Sequence, residues 1–532
     1  MRASMRKLLR LVVFNLGLLG VLLGLVWVTQ HTDSARDAGA TQGPGPTAQV
    51  DAPAESAQPA TAPVSSPLAS TATTSETEMS TATSATTTRA IDAVEPTPSG
   101  LILDPGDPFY NDAPTQTLTL PGLTTEVANI RHAHLTFEFI FSNQGPDEVT
   151  SLDLYVSIPQ SRENQSITNL EFSAPYTLTV DRYDEEMAHF RFTDLAAGQN
   201  AKVTWEGDVE IEAKNYDLDP EKVTGLDTIP PDILETYTTN EEKYRLESAV
   251  IQQAARAALK GATNPYWIAR NVHDFVARRL YYANDGQWDD AETIYLRRNG
   301  SCSEYSFLYI ALCRANGLPA RYVAGTRQRK DGVYVDTLFH RWTEVYLPPY
   351  GWVPVDTLHD DRTGGPQYDY FGGISDERFA TTISGGDSEY LGWNYHYGYR
   401  FDYAGERPEV SRKRRFIWEP YPSELRAVPE ILSGFALPGI ADAAVGKLGI
   451  VTTNGAYDWS VRSSSSWLVL NKETGSTPDT VWILADTRGL DLGLHRGEVI
   501  LESKPLEATV TVPVEVNVVD EMPNALPEGS GP

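Results

Sequence analysis

Cysteine is scarce in this sequence: there are two in 532 residues, and both lie in one segment, GSCSEYSFLYIALCRANGLPAR, residues 300–321. The spacing of its apolar residues predicts a helix from Ser303 to Asn316. Cys302 and Cys313 are eleven positions apart, which corresponds to about 16 Å along a helix. A disulfide needs a much closer approach of the two Cα atoms. A disulfide-stapled fold is therefore excluded, and each cysteine needs its own explanation.

Positive charge is also scarce. The chain has 43 lysines and arginines against 72 aspartates and glutamates, so its formal net charge is -29 and its pI is about 4.7. A surface of this kind repels the phosphates of nucleic acids. We therefore expect no nucleic acid partner.

One long apolar run lies at the N-terminus, from Leu11 to Thr29, and it follows four cations, Arg2, Arg6, Lys7 and Arg10. The run carries no charge and is long enough to span a bilayer as a helix. It ends without the small-residue pattern of a cleavage site. We expect a single-pass cell-membrane anchor at residues 1–30 with the rest of the chain extracytoplasmic, and a cleaved signal peptide is the alternative.

Aromatic residues are absent from Asp33 to Thr97, a segment rich in Ala, Ser, Thr and Pro. Such a composition cannot bury a core. Residues 31–110 are therefore predicted to be a disordered linker that keeps the remainder near the membrane. Residues 521–532 are predicted to be a tail.

Two regions have alternating apolar and polar residues. The first is residues 111–215, with runs such as HLTFEFIF, and the second is residues 435–520. Period-two runs separated by Gly, Asn and Pro clusters are typical of β-sandwiches. We expect one sandwich on each side of a middle region at residues 230–420.

The second sandwich resembles a known module. Its segments WSV, WLVL and G-x-x-P, at 459–461, 467–470 and 475–478, and its closing VPVEVNVV are similar to BACON-type immunoglobulin-like modules of extracellular bacterial proteins. The resemblance implies a spacer or a binding module.

The two cysteines have different surroundings on the predicted helix. Cys313 is in the middle, within YIALCRA, where a small buried apolar residue is expected. Cys302 is next to Gly300 at the helix N-terminus, where the helix dipole and unpaired N–H groups stabilise a thiolate. Cys302 is therefore a candidate nucleophile, and a nucleophile needs a base and an orienting group.

Both partners occur in TLFHRWTEVYLPPYGWVPVDT, residues 337–357, which is predicted to form two strands joined by a turn. His340 lies on the first strand and Asp356 on the second, so antiparallel pairing can bring the imidazole beside the carboxylate. Trp342 and Trp352 are candidates for walls of a substrate cleft, and core positions are an equal alternative. A Cys-His-Asp triad is recognised by its geometry and not by chain order.

Three motifs then give a family resemblance. Gly300–Gly325, HRWTEVY at 340–346 and GWVPVD at 351–356 resemble the transglutaminase-like superfamily in its bacterial, extracytoplasmic branch. The resemblance implies a papain-like α+β core, with Cys302 as nucleophile, His340 as general acid/base and Asp356 as orienting residue. Arg341 stands where the family commonly has a small residue. The expected fold is thus multidomain, with a transglutaminase core flanked by two immunoglobulin-like sandwiches.

The expected function is that of a membrane-anchored thiol enzyme that acts on the amide bonds of proteins or peptides. Proteins and peptides of the cell envelope are among the expected substrates. Water as acyl acceptor gives a protease or amidase, and an amine gives a transglutaminase. A cell-wall peptide amidase is a narrower alternative, and a non-catalytic adhesion protein is an alternative of another class. We expect no cofactor, and the sequence contains no metal-binding motif; calcium dependence stays open, because the Asp-rich segment 217–227 lacks EF-hand spacing.

Two further patterns are prominent. In WNYHYGYRFDY, residues 393–403, six aromatic residues alternate with other residues, which predicts a strand face packed on the core, with a platform for glycan or peptide as the alternative. The basic run SRKRRF, residues 411–416, is predicted to be a solvated loop.

Overall fold

A computed structural model describes residues 128–284, 287–362, 365–366 and 368–522. The predicted anchor at 1–30 and the predicted linker at 31–110 lie outside these residues, as does almost all of the predicted tail. Among the described helices, none combines the length and apolar composition that a bilayer crossing needs.

The first described region is built of strands. In chain order they are β1 (Ile130–Gly145), β2 (Val149–Ser157), β3 (Gln165–Phe172), β4 (Thr177–Val180), β5 (Glu186–Leu195), β6 (Asn200–Glu212) and β7 (Lys214–Asn215). The apolar residues of β1 alternate, so that one side is fully buried and the other is partly exposed. This is the pattern of a strand with one face on a core.

The middle region is mixed. It begins with a 3-10 turn (Leu226–Thr228) and continues with α1 (Pro231–Tyr237), α2 (Ala249–Leu259), α3 (Pro265–Arg279), β8 (Tyr281–Tyr282), α4 (Ala291–Arg297), β9 (Asn299–Gly300), α5 (Cys302–Ala315), β10 (Ala320–Arg327), β11 (Tyr334–Asp336), β12 (His340–Leu347), β13 (Gly351–Val355), α6 (Thr357–Asp360), β14 (Asp361–Arg362), β15 (Gly365–Pro366), β16 (Gly373–Ile374) and β17 (Arg378–Ser384). Four of its strands form one antiparallel sheet in the order β13-β12-β10-β17.

The last region returns to strands. They are β18 (Tyr397–Tyr403), β19 (Glu409–Pro420), β20 (Leu425–Val428), β21 (Leu432–Ala436), β22 (Ala443–Thr452), β23 (Asp458–Ser463), β24 (Leu468–Leu470), β25 (Thr474–Ser476), β26 (Asp479–Ala485), β27 (Gly493–Ser503) and β28 (Ala508–Val518). From β20 onward they form two sheets, in the orders β20-β22-β26-β24 and β21-β28-β27-β23-β25, around a core of their own.

The first sandwich is completed by strands from far along the chain. Its two sheets have the orders β11-β19-β1-β6-β3 and β18-β2-β5-β4. The sandwich therefore extends beyond the predicted boundary at residue 215, and β18 and β19 belong to it and not to the middle region. The α+β core is thus an insertion between strands of a sandwich.

Aromatic side chains hold the two sheets of this sandwich together. Phe139 on β1 lies 4.3 Å from Tyr397 on β18 between ring centroids, and Phe141 lies 5.5 Å from Tyr399. The aromatic residues of 393–403 are therefore mostly interior, and only Tyr403 at the strand end is exposed. The basic run 411–416 is part of β19, which corrects the loop prediction. It forms a strand because Phe416, its last residue, and Trp418, two residues further on, are fully buried.

Helix α5 is the centre of the middle region. It packs against α2, α3, α4, β10 and β12, and every side chain from Cys302 to Arg314 is buried. Its end is marked by Gly317 with φ +74°, where the Gly317 and Leu318 N–H groups donate to Arg314 and Cys313 carbonyls. This is a glycine-dependent helix C-terminus.

Candidate active site

Cys302 occupies the first position of α5. Ser301 caps the helix together with Glu304, whose carboxylate accepts hydrogen bonds from the Ser301 N–H (2.9 Å) and hydroxyl. The thiol is 6% exposed, and its Sγ lies 3.7 Å from the hydroxyl of Tyr395. The first N–H groups of a helix have no intrahelical acceptor. The sulfur is therefore at the electropositive end of a central helix.

Glu304 also anchors the loop that precedes the helix. Its Oε1 accepts a hydrogen bond from the Trp288 N–H at 2.8 Å, and the side chain is fully buried. Gly300 is required at this place, because a Cβ there would lie 2.3 Å from Glu304 Cβ. Sequence reasoning missed Glu304, although the spacing Ser301-x-x-Glu304 is that of a capping box.

Cys313 is in a different environment. It is fully buried, and burial raises the pKa of its thiol far above the ordinary value. This agrees with the expectation of a small buried apolar residue.

The structure brings His340 and Asp356 together. His340 begins β12 and Asp356 follows β13, its hairpin partner. The His340 Nε2–H donates to Asp356 Oδ2 at 2.6 Å, and both side chains are buried. Burial lowers the pKa of His340 well below its usual value although Asp356 opposes this. The imidazole is therefore neutral at neutral pH.

Tyr395 connects Cys302 to the start of β12. Its hydroxyl contacts Cys302 Sγ and the Ser303 hydroxyl, the latter at 2.7 Å. Its ring lies 6.2 Å from the ring of Phe339, the residue before His340, and 4.4 Å from the guanidinium of Arg341, the residue after it. Tyr395 thus links the N-terminus of α5 to the two residues that flank His340 on β12.

Arg341, the departure from the family pattern, is fully buried. Its Nη2–H donates to the Trp393 carbonyl, and its guanidinium lies 4.4 to 4.9 Å from four aromatic rings, those of Trp288, Phe307, Tyr322 and Tyr395. Cation–π contacts with desolvated rings stabilise a buried arginine. Its side chain is therefore part of the packing behind the helix N-terminus.

Two side chains that the sequence did not predict join Asp356. His359 Nδ1 and Arg378 Nη1 each lie 2.8 Å from Asp356 Oδ2, the atom that also accepts from His340. The His359 N–H donates to Oδ1 at 3.2 Å. Burial opposes ionisation of Asp356, but these neighbours hold its pKa well below the usual value. Asp356 is thus a carboxylate with several partners.

The ligand atoms of His340, Asp356 and His359 lie within 4.8 Å of one another, a spacing that a metal ion can use. The guanidinium of Arg378 already contacts the shared oxygen, and Arg327 Nη1 lies 3.0 Å from His359 Nε2. Two arginine guanidiniums are thus in contact with the residues that would bind a metal cation, and their positive charges would oppose its binding. The residues therefore fit an ion-pair network better than a metal centre.

The two predicted cleft tryptophans pack within or beside the β12–β13 hairpin. Trp342 is 1% exposed and packs with Val323, Ile374 and Ala380, its ring stacked 6.0 Å from that of His340. Trp352 is paired with Tyr346 near the hairpin turn, four residues from Asp356, and the Arg321 guanidinium covers it at 3.9 Å. Trp342 packs beside the imidazole in the core, which is the alternative given for it in the sequence analysis, and Trp352 belongs to the hairpin.

Comparison with known proteins finds one family model that matches the middle region. Residues 252–357 match the model of the transglutaminase-like superfamily. The chain contains a transglutaminase-like core. The matched segment includes Cys302, His340 and Asp356, and it begins within α2.

Individual relatives are distant. An uncharacterised protein of Haemophilus influenzae is 24% identical over 244 residues, which are 38% of this chain and 63% of that protein, so less than two thirds of the relative is spanned. A structure described as a proposed cysteine protease from Cytophaga hutchinsonii has 12% identity and a TM-score of 0.37, over 55% of this chain and 99% of that one. Red sea bream transglutaminase has 10% identity and a TM-score of 0.25, over 71% of this chain and 94% of that one.

Proposed function

We propose that this protein is a thiol enzyme acting on protein or peptide amides, with Cys302 as nucleophile, His340 as general acid/base and Asp356 as orienting residue. The observation that carries the proposal is the 2.6 Å bond between His340 and Asp356 in a transglutaminase-like core whose central helix begins with Cys302. Nucleophile, base and orienting group are the parts that acyl transfer through a thiol requires.

The hydrogen bond to Asp356 determines which nitrogen of the His340 ring exchanges a proton with the thiol. His340 Nε2 is engaged by the carboxylate, so the proton of the thiol passes to Nδ1. Sγ then forms a bond to the carbonyl carbon, the C–N bond breaks, and Nδ1 returns the proton to the departing amine. The Cys302 N–H at the helix start donates to the developing oxyanion.

The resulting thioester is resolved by a second nucleophile. Water or an amine attacks the carbonyl carbon, the C–S bond breaks, and the thiol regains a proton through His340. Water completes a protease or amidase reaction, and a lysine amine completes a transglutaminase reaction.

One experiment separates these outcomes. The full chain is incubated with casein and a dansylated amine: dansyl incorporation indicates transfer, and new N-termini indicate hydrolysis. Cys302→Ala should abolish either product, and the matched control Cys313→Ala should keep it. Activity that survives in Cys302→Ala, or no product with the wild type, contradicts the proposal, and the latter favours the adhesion alternative.

We further propose that the enzyme is anchored in the cell membrane and works outside the cytoplasm. The support is the sequence of residues 1–30, an uncharged run after four cations. A BACON-type spacer at 435–520 belongs to the same proposal. Protease added to intact spheroplasts should degrade the chain, and protection from it would contradict this location.

A further inference from the structure

We propose that Arg378 and His359 are positioning residues that hold Asp356 in one orientation, and that the positive charge of Arg378 offsets the negative charge of Asp356, so that His340 rests as a neutral base. The inference rests on the proposed function and deepens it, because it assigns the groups that set the state of the catalytic imidazole. Neither residue lies in the three motifs that carry the family resemblance.

The first argument is the geometry at one oxygen. Asp356 Oδ2 lies 2.6 Å from His340 Nε2 and 2.8 Å from both His359 Nδ1 and Arg378 Nη1. A carboxylate oxygen with three nitrogen atoms at 2.6 to 2.8 Å cannot turn without changing at least one of these contacts. The carboxylate is thus fixed relative to the imidazole ring.

The second argument is the tautomer of His359. Arg327 Nη1 lies 3.0 Å from His359 Nε2, and arginine can only donate, so Nε2 accepts. The ring proton is then on Nδ1, the atom facing Asp356. Arg327 is itself held by Glu377, with Nη2 at 2.8 Å and Nε at 3.2 Å from Oε2. A continuous chain of polar contacts therefore runs from Glu377 to His340.

The third argument is charge. Asp356 contributes one negative charge and Arg378 one positive charge, and both are buried. Burial lowers the pKa of His340, Asp356 opposes this, and His359 and Arg378 act in the same direction as burial. Without Arg378 the negative charge of Asp356 would act more strongly on the ring and shift it toward the imidazolium, against the effect of burial. A permanently charged ring could not accept the thiol proton.

Two further charged groups on the same elements, Asp360 and Arg341, have contact partners of their own. Asp360 contacts His273 Nε2 at 3.0 Å, and the Arg341 side chain lies among aromatic rings. The charged and titratable groups that act on the imidazole are Asp356 after β13, His359 on α6 and Arg378 at the start of β17. Of these, Arg378 is the cation in contact with Asp356.

The test measures the His340 ring directly. The full chain, labelled with isotopes in histidine, is studied by NMR in a Cys302→Ser background, which removes the titration of the thiol and makes the result independent of catalysis. With Arg378 present, the ring should be in the neutral Nε2–H form at neutral pH, because burial lowers its pKa well below the usual value. Arg378→Gln removes a charge about 5 Å away, so the midpoint should rise by about two pH units at an effective dielectric of about 20.

Conservative variants complete the test. Arg378→Lys keeps the charge and should restore the neutral ring, and Arg378→Met replaces Arg378→Gln if the latter does not fold. His359→Asn keeps a donor near Asp356 and should preserve the slowly exchanging Nε2–H signal of His340, whereas His359→Leu should speed its exchange. The inference is overturned if the His340 ring is already charged while Arg378 is present, or if its titration midpoint does not rise when Arg378 is replaced. Failure of the casein assay alone overturns only the proposed function.

Discussion

Glu304→Gln gives a sharp test of how the helix N-terminus is built. In the wild type the buried carboxylate accepts from the Trp288 N–H through Oε1 and from the Ser301 N–H through Oε2, at 2.8 and 2.9 Å. Glutamine has nearly the same shape but only one acceptor oxygen. Its NH2 group must therefore face one of two backbone donors, whichever way the amide is turned.

The expected magnitude follows from these two bonds. One of the two buried backbone N–H groups loses its acceptor, which costs about 1 to 3 kcal/mol. The other N–H group then donates to a neutral amide oxygen instead of a carboxylate, which weakens that hydrogen bond by about 1 kcal/mol. The helix N-terminus also loses a negative charge that its dipole favours. We expect the free energy of unfolding of the core to fall by about 3 kcal/mol.

Cys313 is a natural probe for this measurement. Because its side chain is fully buried in the same helix, its alkylation in increasing urea reports the opening of α5. Glu292→Gln is the matched control, since that carboxylate is partly exposed and its ion pair with Arg245 spans 3.9 Å, so its loss should change stability by less than about 0.5 kcal/mol. If Glu304→Gln opens at the same urea concentration as the wild type, the account of Glu304 as an anchor is refuted.

Three further predictions follow from the same region. Iodoacetamide should label Cys302 in the native protein below about pH 8 and leave Cys313 untouched, as peptide mapping would show, and equal labelling would count against an activated thiol. Gly300→Ala should destabilise the core by about 2 kcal/mol in urea denaturation, because the new Cβ would lie 2.3 Å from Glu304. The control Gly489→Ala should leave stability unchanged, because there is open space around Gly489. Equal losses of stability in the two variants would exclude a steric cause. Burial raises the pKa of Asp361 from 3.8 to about 8, so the folded state keeps a proton that the unfolded state loses, and stability falls as pH rises between these values. Asp361→Asn should therefore be more stable than the wild type at pH 8 but not at pH 4, and melting curves at the two pH values can show this. An equal difference in melting temperature between variant and wild type at both pH values would contradict the burial argument.

Local features of the sequence were predictable where short-range chemistry determines them. The helix that carries Cys302 was predicted at Ser303–Asn316 and is found at Cys302–Ala315, because Gly317 and Pro319 end it and an N-terminal cap begins it. The pairing of His340 with Asp356 follows from a hairpin with a short turn, whose register fixes which side chains meet. Both depend on residues fewer than twenty positions apart.

The parts that could not be predicted depend on distant residues. Strands β18 and β19 join β2 and β1 across more than 200 residues, and period-two alternation shows that a strand exists but not its partner. The run at 411–416 was predicted as a loop because its charges dominate its composition. Its strand partner β1 supplies Glu138, whose carboxylate lies 2.9 Å from Arg415 and makes a charged strand face favourable.

The same long-range pairing reaches the proposed active site. Arg378 begins β17, and the outer edge of β17 is held by Gln165 of the first sandwich, whose side chain donates to the Ala380 carbonyl at 2.9 Å and accepts from the Ala380 N–H at 2.8 Å. An amide side chain thus replaces a neighbouring strand at that edge. Because β17 also carries the arginine that contacts Asp356, the sandwich fixes one of the groups around the imidazole. The insertion of the core into the sandwich is therefore a physical link between the β-domain and the chemistry proposed for Cys302.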